Sequence, residues 1–221
     1  MFNPEEYMCQ LVSALRERFG SRLAYVGLQG SYLRGEATEG SDIDPMVVID
    51  DLSVTDLDAY RAIVNRLDDA EKSCGFICGT AELANWNPLE ICHLLHSTKD
   101  YVGDLAKLVP SFTDADARNF VKLSVNNLSH EICHRYLHGS AEANARGIAG
   151  SYKQVFFILQ NVHYLNSGLF VATQKDLLQR LEGKNKQVLK TAIDLKAGKD
   201  YEFKDLFELL YSWCRDMMIG L

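Results

Sequence analysis

The pattern of apolar residues changes near Pro110, and this change divides the 221-residue chain into two parts. Before Pro110, short apolar runs typical of strands alternate with segments of helical periodicity. After it, every long segment has helical periodicity, with apolar residues at spacings of three and four. This pattern predicts an α+β domain at about residues 1–110, with a mixed sheet and flanking helices, followed by an all-α helical bundle at 111–221.

Individual elements can be assigned within each part. In the first part we expect helices at residues 4–19 and, capped by Thr55, at about 56–72. Four apolar segments bounded by Gly, Pro or polar residues are the expected strands, at residues 23–28, 42–50, 76–78 and 89–98. In the second part, Thr113 and Asp116 have the spacing of a capping box and predict the start of a helix that runs to about His138. The helical patterns that follow cover residues 141–167, 174–182, 185–197 and 204–218.

Composition excludes several classes of protein. A hydrophobic fraction of 47% and a charged fraction of 24% are typical of a folded globular chain. The net charge of −7 argues against general nucleic-acid binding. The longest apolar run, Val155–Leu159, is far shorter than a membrane span, and the N-terminus lacks the layout of a signal peptide. The six cysteines form no compact disulfide framework, so we expect reduced thiols in a cytoplasmic protein, either a monomer or a homodimer.

A pair of carboxylates at the start of one predicted strand carries a clear chemical signal. Asp42 and Asp44 lie two positions apart, so their side chains leave on the same face, with Cα atoms about 6.5–7 Å apart. Two ionised carboxylates about 4 Å apart repel each other by about 4 kcal/mol at an effective dielectric constant near 20. Such a pair predicts a bound cation, and a few carboxylates with open positions for phosphate oxygens are typical of Mg²⁺ sites.

A glycine-containing turn precedes this pair. Gly30 follows a predicted strand and allows the backbone to approach a ligand closely. Ser31 offers a hydroxyl and an N–H group, and Arg34 offers a planar cation, to phosphate oxygens. The ten residues between Ser31 and Asp42 let the chain return, so the turn is expected beside the carboxylates. This combination predicts phosphoryl or nucleotidyl transfer.

The order Gly-Ser, a spacer near ten residues and Asp-x-Asp before an apolar strand resembles the signature of the DNA-polymerase-β-like nucleotidyltransferase superfamily. The resemblance is strongest between Leu23 and Ile49. It extends to the bacterial branch that contains the aminoglycoside and lincosamide nucleotidyltransferases, through Arg34, Gly35, Ala37, Ser41 and Ile43. It implies that Mg²⁺ is the cofactor, that ATP is the donor and that Ser41 belongs to the nucleotide-binding residues.

The resemblance also implies a third acidic residue on a later strand, as a metal ligand or as the base that takes the acceptor's proton. Glu82 and Glu90 are the candidates. We favour Glu90 because it begins an apparent strand, and because residues 99–105 resemble the segment that follows the third acid in relatives. Glu82 lies in a stretch that reads as a loop or short helix, and the alternative is that neither residue is catalytic.

In the aminoglycoside-type relatives, a helical C-terminal domain closes the nucleotide site. Residues 150–168 resemble the long helix of that domain, and Lys153 near its start is the residue expected to reach the phosphates. The alternative is a solvated lysine. Where relatives often carry an arginine further along this helix, the chain has Gln160.

The helical half contains a second motif. His130 to His134 match H-E-x-x-H, the zinc-protease pattern, and His138 follows one helical turn later. A catalytic zinc needs a third protein ligand in a cleft, and known examples take it from beyond a turn or from a second helix. The long amphipathic helix expected here favours packed or solvated histidines, with an incidental metal site and a zinc hydrolase as alternatives.

The sequence therefore predicts an enzyme that transfers a nucleotidyl group, expected to be adenylyl, to a hydroxyl of a small molecule such as an antibiotic. Asp42, Asp44 and Glu90 are the expected catalytic residues, and the first two are the metal ligands. The expected nucleotide-binding residues are Gly30, Ser31, Arg34, Ser41 and Lys153. Two alternatives remain: modification of a protein side chain, as in toxin–antitoxin nucleotidyltransferases, and a nucleotide-binding module without turnover.

Overall fold

The computed structural model describes residues 2–220, which form two compact units, one ending at Ser111 and the other beginning at Phe112. The strands of the first unit are β1 (Leu23–Gln29), β2 (Asp44–Ile49), β3 (Phe76–Gly79) and β4 (Lys99–Val102). Its α-helices are α1 (Pro4–Phe19), α2 (Gly30–Leu33), α3 (Val54–Val64), α4 (Thr80–Ala84) and α5 (Pro88–His96).

The strands form a mixed sheet in the order β3-β2-β1-β4. β1 runs antiparallel to both β2 and β4, whereas β2 and β3 are parallel. Because side chains alternate along a strand, Val26 and Val47 pack on one face with residues of α1, and Tyr25 and Met46 pack on the other with Leu83 of α4. The sheet is therefore covered by helices on both faces.

The second unit is helical. It contains α6 (Asp114–His138), α7 (Ala141–Ser167), α8 (Gln174–Arg180), α9 (Gly183–Lys196) and α10 (Phe203–Gly220). Thr113 and Asp116 form the expected capping box, and Gly168 ends α7 in the left-handed conformation with a φ of 69°. Trp213 and Tyr152 are the largest buried side chains of its core. Within residues 2–220, no helix combines the length and the apolar character that a membrane span requires.

The expected fold class is confirmed, and two element assignments are corrected. Residues 89–98, expected as a strand, lie mainly in α5, because Asn87 caps the helix and Pro88 occupies its first turn; the fourth strand follows at Lys99. The helix expected after Thr55 begins at Val54 instead, because Ser53 is its N-cap and closes a capping box, and it ends at Val64.

Candidate active site

The turn after β1 lies directly against a carboxylate of β2. In the β1–β2 pairing Gln29 is opposite Asp44, so Gly30, the next residue, reaches the level of the Asp44 side chain. Gly30 has a φ of +75°, and a Cβ atom at this position would collide with the Asp44 carboxylate. Only glycine combines this backbone conformation with this close approach. The sequence thus brings the Gly30–Ser31 turn and Asp44 together, as predicted from their spacing.

The segment between the turn and the carboxylates folds on itself. Gly30 and Ser31 begin the one-turn helix α2, and the carbonyl of Ser31 accepts a hydrogen bond of 2.9 Å from the N–H of Glu36. Arg34 follows α2, and its Nε donates to the Glu36 carboxylate at 3.1 Å. The Arg34 side chain is only 12% exposed, which fixes its cation close to the turn.

Ser41 closes the end of this segment. Its hydroxyl accepts a hydrogen bond of 2.8 Å from the Thr38 N–H, while its own N–H donates to the Thr38 carbonyl at 2.9 Å. The side chain of Ser41 is thus engaged within its own turn, immediately before Asp42. A phosphate that binds the Ser41 hydroxyl would therefore meet a group that already accepts a hydrogen bond from Thr38.

The electrostatics of the carboxylate pair depend on burial and on charge. Asp42 is exposed, and Asp44 is partly buried. Burial, and then the negative charge of Asp42, raise the pKa of Asp44 above its usual value, whereas the positive charge of Arg34 acts in the opposite direction. A partly buried carboxylate next to a second one is a favourable environment for a cation.

The two candidates for a third carboxylate lie on helices. Glu90 is exposed in the first turn of α5, and its carboxylate accepts a hydrogen bond of 2.5 Å from Nε1 of Trp86. Glu82 lies in the first turn of α4, with its carboxylate against Gly79. Across residues 2–220, no group of three or more His, Cys, Asp or Glu side chains is arranged to hold a metal ion.

Sequence reasoning missed His93. This residue lies on α5, the helix that was expected to be a strand, one turn after Glu90. Burial, followed by the positive charges of Arg34 and His96, lowers the pKa of His93 to about 4, so the imidazole is neutral at pH 7. The Asn87-Pro88 helix start was the signal that could have placed it, because a helix puts His93 on the same side as Glu90.

The residues expected in the helical unit have different surroundings. Lys153 is exposed on α7. Gln160 is buried, and its amide donates to the Val171 carbonyl at 2.8 Å, so it holds the segment after α7. His130 and His134 are exposed on α6.

Comparisons with known proteins agree with this geometry. A family described as a nucleotidyltransferase domain matches residues 8–76. A protein of Methanocaldococcus jannaschii named a "putative protein adenylyltransferase" is 34% identical over 77 residues, which represent 32% of this chain and 77% of that relative. The chain therefore belongs to the nucleotidyltransferase family, as its sequence pattern predicted, and it is an enzyme.

The fold has a solved counterpart. The crystal structure of the spectinomycin adenyltransferase AAD(9) from Enterococcus faecialis, with ATP and spectinomycin, superposes with a TM-score of 0.60. The match covers 98% of this chain and 100% of that protein at 14% sequence identity. At this identity the likeness concerns the fold alone, and it includes the helical unit as well as the sheet unit.

Proposed function

We propose that the chain transfers an adenylyl group from ATP to a hydroxyl of a small molecule, and that Asp42 and Asp44 hold Mg²⁺ at the reaction site. The observation that carries this proposal is the contact between Gly30 and the Asp44 carboxylate. It joins a phosphate-binding turn to a cation-binding carboxylate pair, the two parts that nucleotidyl transfer requires.

The residues present fit a magnesium ion. Asp42 and Asp44 supply hard oxygen ligands, and Mg²⁺ is typically held in enzymes by one or two carboxylates plus substrate phosphates. Burial, and then the negative charge of Asp42, raise the pKa of Asp44, and the cation of Arg34 offsets this only in part. When bound, the ion would neutralise charge on the carboxylates and on the phosphate oxygens.

The chain's own groups have distinct roles in this proposal. The backbone at Gly30, the hydroxyl of Ser31 and the cation of Arg34 bind the triphosphate. Ser41 also belongs to the nucleotide-binding residues, and its side chain holds the loop through Thr38. We also propose that the two units are separate domains and that Lys153, in the helical one, binds phosphate. The acceptor oxygen attacks the α-phosphorus, the bond to pyrophosphate breaks, and the acceptor's proton passes to a carboxylate, for which Glu90 stays the candidate.

Two observations bear on the acceptor. The solved structure that matches almost the whole chain contains ATP and the antibiotic spectinomycin, which favours a small molecule and specifically an antibiotic. The M. jannaschii relative is named as a protein adenylyltransferase, which favours a protein side chain as the second candidate, but its match is limited to 77 residues. The wider coverage makes the small molecule our first choice.

Isothermal titration of ATP, with and without Mg²⁺, tests the site. We expect Mg²⁺-dependent binding that is lost when Asp42 and Asp44 are both changed to Asn. Asp58→Asn is the matched control, because Asp58 is an exposed carboxylate of α3 paired only with its neighbour Arg61 among the ion pairs of the described chain. Pyrophosphate release is then screened with antibiotics that carry hydroxyl groups and with proteins. Mg²⁺-independent ATP binding that survives the double substitution would contradict the proposal.

A further inference from the structure

The H-E-x-x-H motif of α6 has no role in the proposed reaction, and its surroundings are unlike those of a zinc protease. Glu131, the acid of the motif, accepts hydrogen bonds from the Ser151 hydroxyl at 2.9 Å and from the Gln154 amide at 3.0 Å. It also pairs with Arg135 at 3.2 Å. A carboxylate committed to three partners is not available as a general base for a zinc-bound water.

The histidines of this helix are arranged differently. His130, His134 and His138, which we call the histidine row, recur every four residues and are all exposed. The last turn of α6 lies outside the core, since Tyr136 is 48% exposed and Leu137 is 71% exposed. The histidine row is therefore open to solvent along its length.

Ring separations distinguish the two neighbouring pairs of the row. A metal–nitrogen bond of about 2.0–2.1 Å places each ring centroid about 3.2 Å from the ion, so two imidazoles at an angle of about 90–110° have centroids about 4.5–5.2 Å apart. The centroids of His134 and His138 are 4.9 Å apart, within this range. Those of His130 and His134 are 6.0 Å apart, which is too far.

We propose that His134 and His138 form a two-histidine chelate for a divalent transition-metal ion of the Ni²⁺, Cu²⁺ and Zn²⁺ group. Imidazole nitrogen suits these ions, whereas Mg²⁺ prefers carboxylate and phosphate oxygen, so the site differs from the Asp42–Asp44 pair in the ion that it selects. Water completes the coordination, because no third acidic, histidine or cysteine ligand converges there among residues 2–220. A bound ion links the last two turns of α6 and stabilises that end of the helix.

Calorimetric titration with Ni²⁺ tests the chelate, on the full chain without an affinity tag. The exposed thiols Cys9 and Cys74 are changed to Ser in every sample, because thiolates also bind such ions. We expect one Ni²⁺ site whose affinity falls at least tenfold in His134→Gln and in His138→Gln. His130→Gln is the matched control, and its affinity should stay within twofold.

The melting temperature provides a second measurement. Ni²⁺ should raise it in the parent chain and in the Asp42→Asn/Asp44→Asn variant, but not in His138→Gln. The outcome is thus independent of the proposed transferase site. Unchanged Ni²⁺ affinity in His138→Gln, an equal loss in His130→Gln, or binding only at millimolar Ni²⁺ would each overturn the proposal.

Discussion

Two aspartates, one in each unit, have opposite surroundings. Asp194 on α9 accepts hydrogen bonds from Lys190 and Lys199 at 2.7 Å and from the Tyr201 hydroxyl at 2.8 Å, and these donors hold its pKa well below the usual range. Asp44 lies beside Asp42, and its pKa is raised. The comparison separates a carboxylate whose charge is paired within the fold from one whose charge, in our proposal, a bound cation compensates.

Asp44→Asn should produce the largest effect of any substitution in this comparison. We expect nucleotidyl transfer to fall by roughly 10²–10³-fold, as when a group that stabilises transition-state charge is removed. The melting temperature in metal-free buffer should be unchanged or higher, because the substitution removes the repulsion between Asp44 and Asp42. Pyrophosphate release and thermal unfolding measure the two quantities. A melting temperature several degrees lower would instead make Asp44 a structural residue like Asp194.

Asp194→Asn should have the reverse effect. Lys190, Lys199 and Tyr201 would lose their charged acceptor, and we expect the free energy of unfolding to fall by about 1–2 kcal/mol, while ATP binding is retained. Urea unfolding gives the stability, and Asp200→Asn, at an exposed aspartate of the same connection, is the control. Equal stability of the two variants would mean that the three donors contribute nothing measurable.

The contribution of Asp194 to stability should depend on pH, and lowering the pH should remove it. Because the pKa of Asp194 is lowered in the folded chain, its contribution is present above the unfolded value of about 3.9 and is lost as pH falls below it. Urea midpoints between pH 6 and 3 should therefore decline less steeply for Asp194→Asn than for the parent chain. Parallel curves would count against a role for Asp194 in acid unfolding.

Glu90→Gln should lower turnover less than Asp44→Asn does. The glutamine carbonyl can still accept the Trp86 hydrogen bond, so the fold is kept, while the carboxylate proposed to take the acceptor's proton is lost. We expect a loss of about tenfold, which corresponds to about 1.4 kcal/mol. The same pyrophosphate assay measures it, and turnover within about threefold of the parent chain would count against Glu90 as the third carboxylate.

Local signals explain which elements could be predicted from the sequence. The helix at 4–19, the strand before Gly30 and the capping box at Thr113 each depend on a few neighbouring residues, and the structure has them where expected. The segment at 89–98 is apolar throughout its middle, and such a run fits a buried strand or a buried helix equally well. The cap at Asn87, rather than the apolar run, decides between them.

The candidate site likewise contains residues that could be identified from the sequence and residues that could not. Asp42 and Asp44 could be found because their meaning depends on a spacing of two and on a glycine turn ten residues earlier. The Asn87-Pro88 helix start could have placed His93 on a helix, but its burial comes from that helix packing against the sheet, and such long-range contacts leave no mark in one local window. The hydrogen bond between Ser41 and Thr38 could not be foreseen either, because it depends on how the loop before Asp42 folds, and the predicted nucleotide-binding role of Ser41 stays a prediction.

The edges of the sheet have a consequence for the behaviour of the protein at high concentration. β3 and β4 are the outer strands, each only four residues long. β4 begins with the exposed residues Lys99 and Asp100, and Lys99 pairs with Glu5 of α1. Both edges are short and the β4 edge is also charged, so they offer few backbone partners to a strand from another molecule. Aggregation of this enzyme should therefore require prior unfolding, and stabilising either unit should also improve its solubility on storage.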